Sequence, residues 1–206
     1  MTVKRFLLIG ISLLSLLGGL LVANLWMTPK HKPLIAGTRL PQPREIPEFL
    51  LTNQNNQPVT KKDWAGHWTL IFPGFITCPD ICPTTLRYLK QLSTALGPQS
   101  SQLKIIFLSV DPERDTPARL REYLNYFSPN FDGVTAAEPQ LGEIAKALSV
   151  IYAKVPGKSA SGYTMDHSAA LVLLDPQVRV AAFFTPPFQL GPMTDDLKGL
   201  LGSAAP

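Results

Sequence analysis

Trp68-Thr69-Leu70-Ile71-Phe72-Pro73-Gly74-Phe75-Ile76-Thr77-Cys78-Pro79-Asp80-Ile81-Cys82-Pro83 runs on through Thr84 to Leu96 and stops at Gly97-Pro98. Trp68 to Phe75 is an apolar run of strand length, the pattern of a strand buried on both faces. After Pro83 the period changes. Leu86, Leu89, Leu92 and Leu96 recur at helical spacing, and Gly97-Pro98 marks the end of that helix. Between the two elements stand the chain's only cysteines, Cys78 and Cys82, each followed by proline. A residue before proline avoids the α region, so both cysteines are placed in a loop, with Pro83 as the first helical residue and Cys82 near the cap. The unpaired N–H groups and positive dipole end of that helix predict a lowered pKa for Cys82.

Working outward, Leu103 to Val110 is a second continuous apolar strand. Thr116-Pro117 then reads as an N-cap with proline at the first helical position, opening a helix whose Leu120, Leu124 and Phe127 share a face. Glu138 to Val150, with Leu141, Ile144 and Leu148 on one side, is another helix. Ala169 to Leu174 and Val178 to Phe184 are strands about the turn Asp175-Pro176-Gln177, and Thr194, Asp195 and Asp196 start a last short helix, Leu197 to Leu201. Upstream, Glu48 to Thr52 and Gln57 to Thr60 flank an asparagine-rich turn and form a hairpin. The order is β-hairpin, β, α, β, α, short β, α, β, β, α. It predicts an α/β, thioredoxin-like fold with a mixed central sheet and flanking helices in one domain, residues 46–206.

Before that domain, Phe6 to Trp26 is 21 residues without a charge, long enough to cross the ~30 Å hydrocarbon layer. A transmembrane helix within an anchor at residues 1–27 is therefore expected. A cleaved signal peptide fits less well, since its apolar region is shorter and the small-x-small cleavage pattern is poor around Ala23. Residues 28–45 are expected to be an extended tether; Thr28 to Pro47 holds five prolines. Lys4, Arg5, Lys30, Lys32, Arg39 and Arg44 make residues 1–44 net +6, which leaves 13 bases against 15 acids, net −2, in 45–206. The basic pI thus belongs to the membrane-flanking segment and excludes a nucleic-acid-binding reading of the domain. The expected location is the bacterial inner membrane, single-pass, N-terminus cytoplasmic and domain in the periplasm, where cysteines meet an oxidising environment.

Two cysteines four apart admit a structural disulfide, a redox pair or a soft-metal site. A disulfide closing so short a loop removes little unfolded-state entropy, and a redox motif of the thioredoxin type has two intervening residues where this loop has three. A metal needs a further ligand. Of the three histidines, His31 lies in the tether and His67 in a surface turn, whereas His167, in Asp166-His167-Ser168, enters the strand at Ala169. In a thioredoxin-like layout that loop faces the cysteines. Two thiolates and one imidazole suit copper, while structural zinc wants a fourth protein ligand. Asp80 and Asp166 are candidates to order the ligands or orient the imidazole. Asp111, Glu113 and Asp115 read as strand-to-helix loop and cap residues. A Ser/His/Asp hydrolase is excluded, because neighbours on a strand point to opposite faces and no Gly-x-Ser-x-Gly turn exists.

Gly74-Phe75 with Cys78-Pro79-Asp80-Ile81-Cys82-Pro83-Thr84-Thr85-Leu86, then Ser109-Val110-Asp111-Pro112-Glu113-Arg114-Asp115-Thr116-Pro117, then Asp166-His167-Ser168-Ala169, in that order and spacing, resemble the Sco/SenC family. Pro73, Ile76 and Thr77 depart from the residues usual there, and the ligand positions are kept. The resemblance implies one copper ion, Cu(I) or Cu(II), held by Cys78, Cys82 and His167. It also implies a role in building the binuclear copper centre of cytochrome c oxidase subunit II, with a periplasmic copper donor or thiol reductant as further partner. The alternatives are a periplasmic thiol-disulfide oxidoreductase using Cys78 and Cys82, whose disulfide forms on oxidation, and a peroxiredoxin-like peroxidase on the same fold.

Overall fold

Every side chain of Trp68–Gly74 is buried, a condition met by a strand inside a sheet that is covered on both faces. The computed structural model describes residues 3–27, 33–157 and 162–202, which divide into two compact units, Met1–Lys32 and Pro33–Pro206. Among the described residues the first unit is a single helix, α1 (Val3–Met27). The second runs β1 (Gly37–Glu45), β2 (Leu50–Asn53), β3 (Pro58–Thr60), α2 (Lys61–Trp64), β4 (Trp68–Gly74), α3 (Ile81–Leu96), β5 (Leu103–Ser109), α4 (Pro117–Phe127) and β6 (Phe131–Thr135). It continues with α5 (Gln140–Ala147), β7 (Tyr152–Pro156), β8 (Tyr163–His167), β9 (Leu171–Leu174), β10 (Arg179–Phe184) and α6 (Leu190–Gly202). Eight strands form one sheet in the order β1-β10-β9-β4-β5-β6-β2-β3, and β7 with β8 makes a separate two-stranded ribbon.

The sheet is mixed, as expected: β4, β5 and β6 are parallel, and the strands outside them are antiparallel. β4 and β5 are its centre, paired in unbroken register from Trp68↔Leu103 to Gly74↔Ser109. The predicted leucine stripe of α3 is buried at Leu86, Leu89, Leu92 and Leu96, and the helix packs on α6, which buries Met193, Leu197, Leu200 and Leu201. Each such side chain withdrawn from water contributes roughly 2 kcal/mol before entropy is counted. Thr116 caps α4 as predicted, its hydroxyl accepting the Arg119 N–H at 3.5 Å, and Pro117 is the first helical residue.

Several boundaries differ for physical reasons. α3 starts at Ile81 with Asp80 at its N-cap, so Cys82 lies inside the first turn and Pro83 falls where a missing N–H costs nothing, since first-turn amides have no helical partner. α6 begins at Leu190, earlier than expected, because the Thr194 hydroxyl donates back to the Leu190 carbonyl at 2.6 Å and does not cap a helix start. The expected tether is sheet over Gly37–Glu45, which forms edge strand β1 on β10. Its Pro41 and Pro43 are accommodated because the register shifts between Arg39 and Arg44 and an edge strand need not donate on its open side. Residues 28–32 lie outside the described residues. The ribbon β7–β8 carried no strand expectation, since its positions are exposed or half-buried apart from Met165 and leave no apolar alternation to read.

Along α1, side chains are described at Val3, Phe6 and 8–23, all exposed. Among the described residues no helix is long and apolar enough to cross a membrane. The transmembrane expectation for Phe6 to Trp26 is therefore corrected: the stretch lies within helix α1, which among the described residues does not meet the requirement for a span.

The start of the second unit is held by α6. The buried Asp196 carboxylate accepts the N–H groups of Ile35 at 2.8 and 2.9 Å and of Ala36 at 2.7 Å. Replacing Asp196 by alanine should cost about 1.5–3 kcal/mol for hydrogen bonds to a charged group, read as a lowered urea midpoint at constant slope. A freely extended segment at Ile35 and Ala36 would leave the midpoint unmoved.

Candidate metal centre

β4 delivers the chain to the cysteine loop, and β5, parallel beside it, delivers Ser109 to the same sheet end. Val110 N–H donates to the Gly74 carbonyl at 2.9 Å, joining the two strand exits. The loop turns back at once, with Cys78 N–H donating to Phe75 O at 3.3 Å. Cys78 is half-buried and Cys82 fully buried; both are free thiols. Gly74 makes this possible: a Cβ there would lie 3.0 Å from Cys82 Sγ and 2.7 Å from Phe107 Cε2, so any larger residue would push the sulfur or the ring away.

The two thiols are unlike. Cys78 Sγ accepts the Cys82 thiol, which is the largest cause holding its pKa down to about 5 against an opposing burial effect. It also accepts the Cys82 N–H at 3.4 Å, and the N–H groups of Asp80 and Ile81 add to the same stabilisation. Cys82 is pushed well above the ordinary thiol range, first because it is the donor to Cys78 and second because it is buried. The expectation that Cys82 would be the acidic thiol is thus reversed. The first-turn amides converge on the sulfur ahead of the helix, and that sulfur is Cys78.

His167 closes β8 and brings Nε2 to 3.8 Å from Cys82 Sγ. Its Nδ1 lies 2.9 Å from the Ser168 carbonyl, which can only accept. In the neutral imidazole the proton therefore sits on Nδ1, leaving the Nε2 lone pair directed at Cys82, the state a metal ligand needs. Phe75 meets the ring edge-on, centroids 5.8 Å apart at 85°. Cys78, Cys82 and His167 are thus brought together, with Cys82 touching both others. Among the described residues no group of three or more His, Cys, Asp or Glu side chains is already closed into a metal cage. The trio has the donors for a soft cation and needs the imidazole to close on Cys78 as well.

Asp80 and Asp166 are exposed. Asp80 serves through its backbone amide, and orientation of the imidazole falls to the Ser168 carbonyl. His67 is exposed, and His31 lies outside the described residues. The loop after β5 contributes more than helix capping. Fully buried Asp115 accepts the Ser109 hydroxyl at 2.7 Å and the Ile76 N–H at 3.0 Å, bracing the approach to Cys78. Its burial raises the carboxyl pKa to about 6. A signal for these residues was present: their motif follows the strand next to β4, and sites in such sheets gather at the carboxyl ends of parallel strands.

A family model described as SCO1/SenC matches residues 38–202. An SCO2-like protein of Rickettsia typhi is 36% identical over 171 residues, 82% of this chain and 84% of that protein. The structure of Bradyrhizobium japonicum ScoI with copper bound is matched at 38% identity and TM-score 0.65, over 76% of this chain and 98% of that one. Yeast Sco1 with copper bound is matched at 29% identity and TM-score 0.72, over 80% and 92%.

The asymmetry of the thiols has a direct readout. In the reduced, metal-free chain, iodoacetamide should modify Cys78 selectively. Since its thiolate persists above pH ~5, the rate should stay flat from pH 8 to 6 and fall as the pH drops through 5. Peptide mapping by mass spectrometry that finds Cys82 the faster site, or a rate rising through pH 8.5 at Cys78, would contradict the assignment.

Proposed function

The chain belongs to the SCO1/SenC family, and on that premise we propose that it is a copper chaperone that binds one copper ion through Cys78, Cys82 and His167. Delivery of that ion serves assembly of the binuclear copper centre of cytochrome c oxidase subunit II. The observation that carries the reading is the placement of an imidazole lone pair 3.8 Å from the sulfur of Cys82. Thiolate sulfurs select Cu(I), and an imidazole supports either copper state, so one trio can hold the ion through a change of oxidation state. The half-buried Cys78 is the ligand within reach of an incoming protein, while Cys82 and His167 hold the ion from behind.

A second reading, a thiol-disulfide reductant for the oxidase's copper-site cysteines, is favoured by the unlike thiols. The thiolate of half-buried Cys78 attacks a client disulfide and releases one client sulfur as thiolate; Cys82 then displaces the second, its proton passing to the leaving sulfur, which leaves a Cys78–Cys82 disulfide and a reduced client. The two readings part at copper, which the reductant does not need.

Anaerobic titration of the reduced chain with Cu(I) should reach one equivalent. Cys78→Ala, Cys82→Ala and His167→Ala should each weaken binding by at least about 10-fold, and His67→Ala should have no effect. Parental affinity in His167→Ala would overturn the ligand set. If that variant loses copper yet still supports oxidase assembly, the reductant reading stands and the chaperone reading falls.

The proposed place of work is the periplasmic face of a bacterial inner membrane, with the apolar helix α1 as the segment that associates with it. Its support is the row of exposed apolar side chains on α1, among them Phe6, Ile9, Leu14, Leu17 and Leu21, which water does not favour. The full chain should sediment with membranes and resist extraction by high salt; release into the soluble periplasmic fraction would overturn that association.

A further inference from the structure

His167 is not carried by the main sheet. It ends β8, half of the separate ribbon β7–β8, so no continuous ladder fixes the imidazole relative to the cysteines. Side chains must do it. Strand alternation puts Tyr163, Met165 and His167 on one face of β8, and the burial of Met165 beside exposed Asp166 identifies that face as the inward one. Tyr152, opposite His167 in the ribbon, gives its hydroxyl to Glu138.

At the other end of the inward face stands Arg114, from the loop after β5. Its guanidinium lies 3.8 Å from the Tyr163 ring centroid, and its Nη1 donates to the Tyr163 carbonyl at 3.1 Å. Its Nε donates to Asp111, whose other carboxylate oxygen accepts the Tyr163 hydroxyl at 3.0 Å. Lys154 of β7 sits 3.9 Å from the same ring and pairs with Glu113 at 2.7 Å. The Arg114 and Asp111 side chains are only 13% and 3% exposed. The same guanidinium is 5.9 Å from the centroid of Phe75, the ring that meets His167 edge-on. One planar cation therefore touches both the strand that bears His167 and the aromatic wall against which the imidazole rests.

We propose that Arg114, braced by Asp111, is a positioning residue for His167: it docks the ribbon through Tyr163 and so sets how closely the imidazole approaches the two sulfurs. The proposal rests on the ligand assignment above. A stacked guanidinium suits the task because its planar set of donors reaches a carboxylate, a carbonyl and two aromatic rings in a fixed geometry that an ammonium cannot reproduce.

The test is a cycle of Cu(I) affinities for the full chain, reduced and anaerobic in mild detergent, measured by competition with a chromophoric Cu(I) chelator. Arg114→Ala should lose about 10–100-fold, the range for groups that orient a metal ligand. Arg114→Lys should recover little of this, and Tyr163→Phe should lose affinity in the same direction but less. Combined with His167→Ala, Arg114→Ala should cause no further loss, whereas a merely structural role would lower affinity in both backgrounds. Parental affinity in Arg114→Ala, or full additivity in the double variant, overturns the proposal. Should thermal unfolding show that Arg114→Ala does not fold, the same cycle run with Arg114→Lys and Tyr163→Phe decides it. Parental affinity in His167→Ala would instead strike the ligand assignment, which separates the two failures.

Discussion

The parallel pairing of β4 with β5, unbroken from Trp68↔Leu103 to Gly74↔Ser109, is the constraint on which the candidate metal centre depends. It brings two loops of different sequence to one end of the sheet, so the carboxylate of Asp115 can receive the amide of Ile76. Slipping this register by one residue would reverse the facing of every side chain on the strand. Burial on both sides of β4 is what forbids the slip.

At that sheet end the same few backbone groups organise opposite behaviours in two identical side chains. Amides of the first turn of α3 point at Cys78 and stabilise its anion, while Cys82 is sealed beneath it against Gly74 and donates its proton. A half-buried anionic sulfur thus stands over a buried neutral one. The absence of a side chain at Gly74 is part of this chemistry, since the sulfur occupies the space a Cβ would take.

The third candidate donor is supported by a different kind of structure. His167 rides on a ribbon held by side chains from loops at Asp111, Arg114 and Glu138, whereas the cysteines are held by sheet and helix backbone. Placing one donor on a side-chain-docked element lets it shift relative to the other two without disturbing the core. At the opposite border of the sheet, Asp196 ties Ile35 and Ala36 to α6, which fixes where the chain leaves the domain.

Much of this was legible in the order of residues. The apolar runs at 68 and 103, the leucine stripe of α3 and the Thr116-Pro117 cap are local patterns whose burial a single period reports, and they suffice for a mixed α/β sheet. Scarcity made the candidate donors legible too, since two cysteines and three histidines leave few combinations. What the sequence concealed depends on distant partners. β1 was hidden by prolines that only an edge position with a register shift can tolerate. The ribbon lacks apolar alternation, and the acidity expected of Cys82 belongs to Cys78, because the direction of three amides decides it. The sequence by itself determined which residues could bury and which could donate. Only the tertiary structure decided that Cys82 meets His167 across 85 residues and that Arg114 meets Tyr163 across 49, because such meetings follow from strand register and loop docking, which no local period encodes.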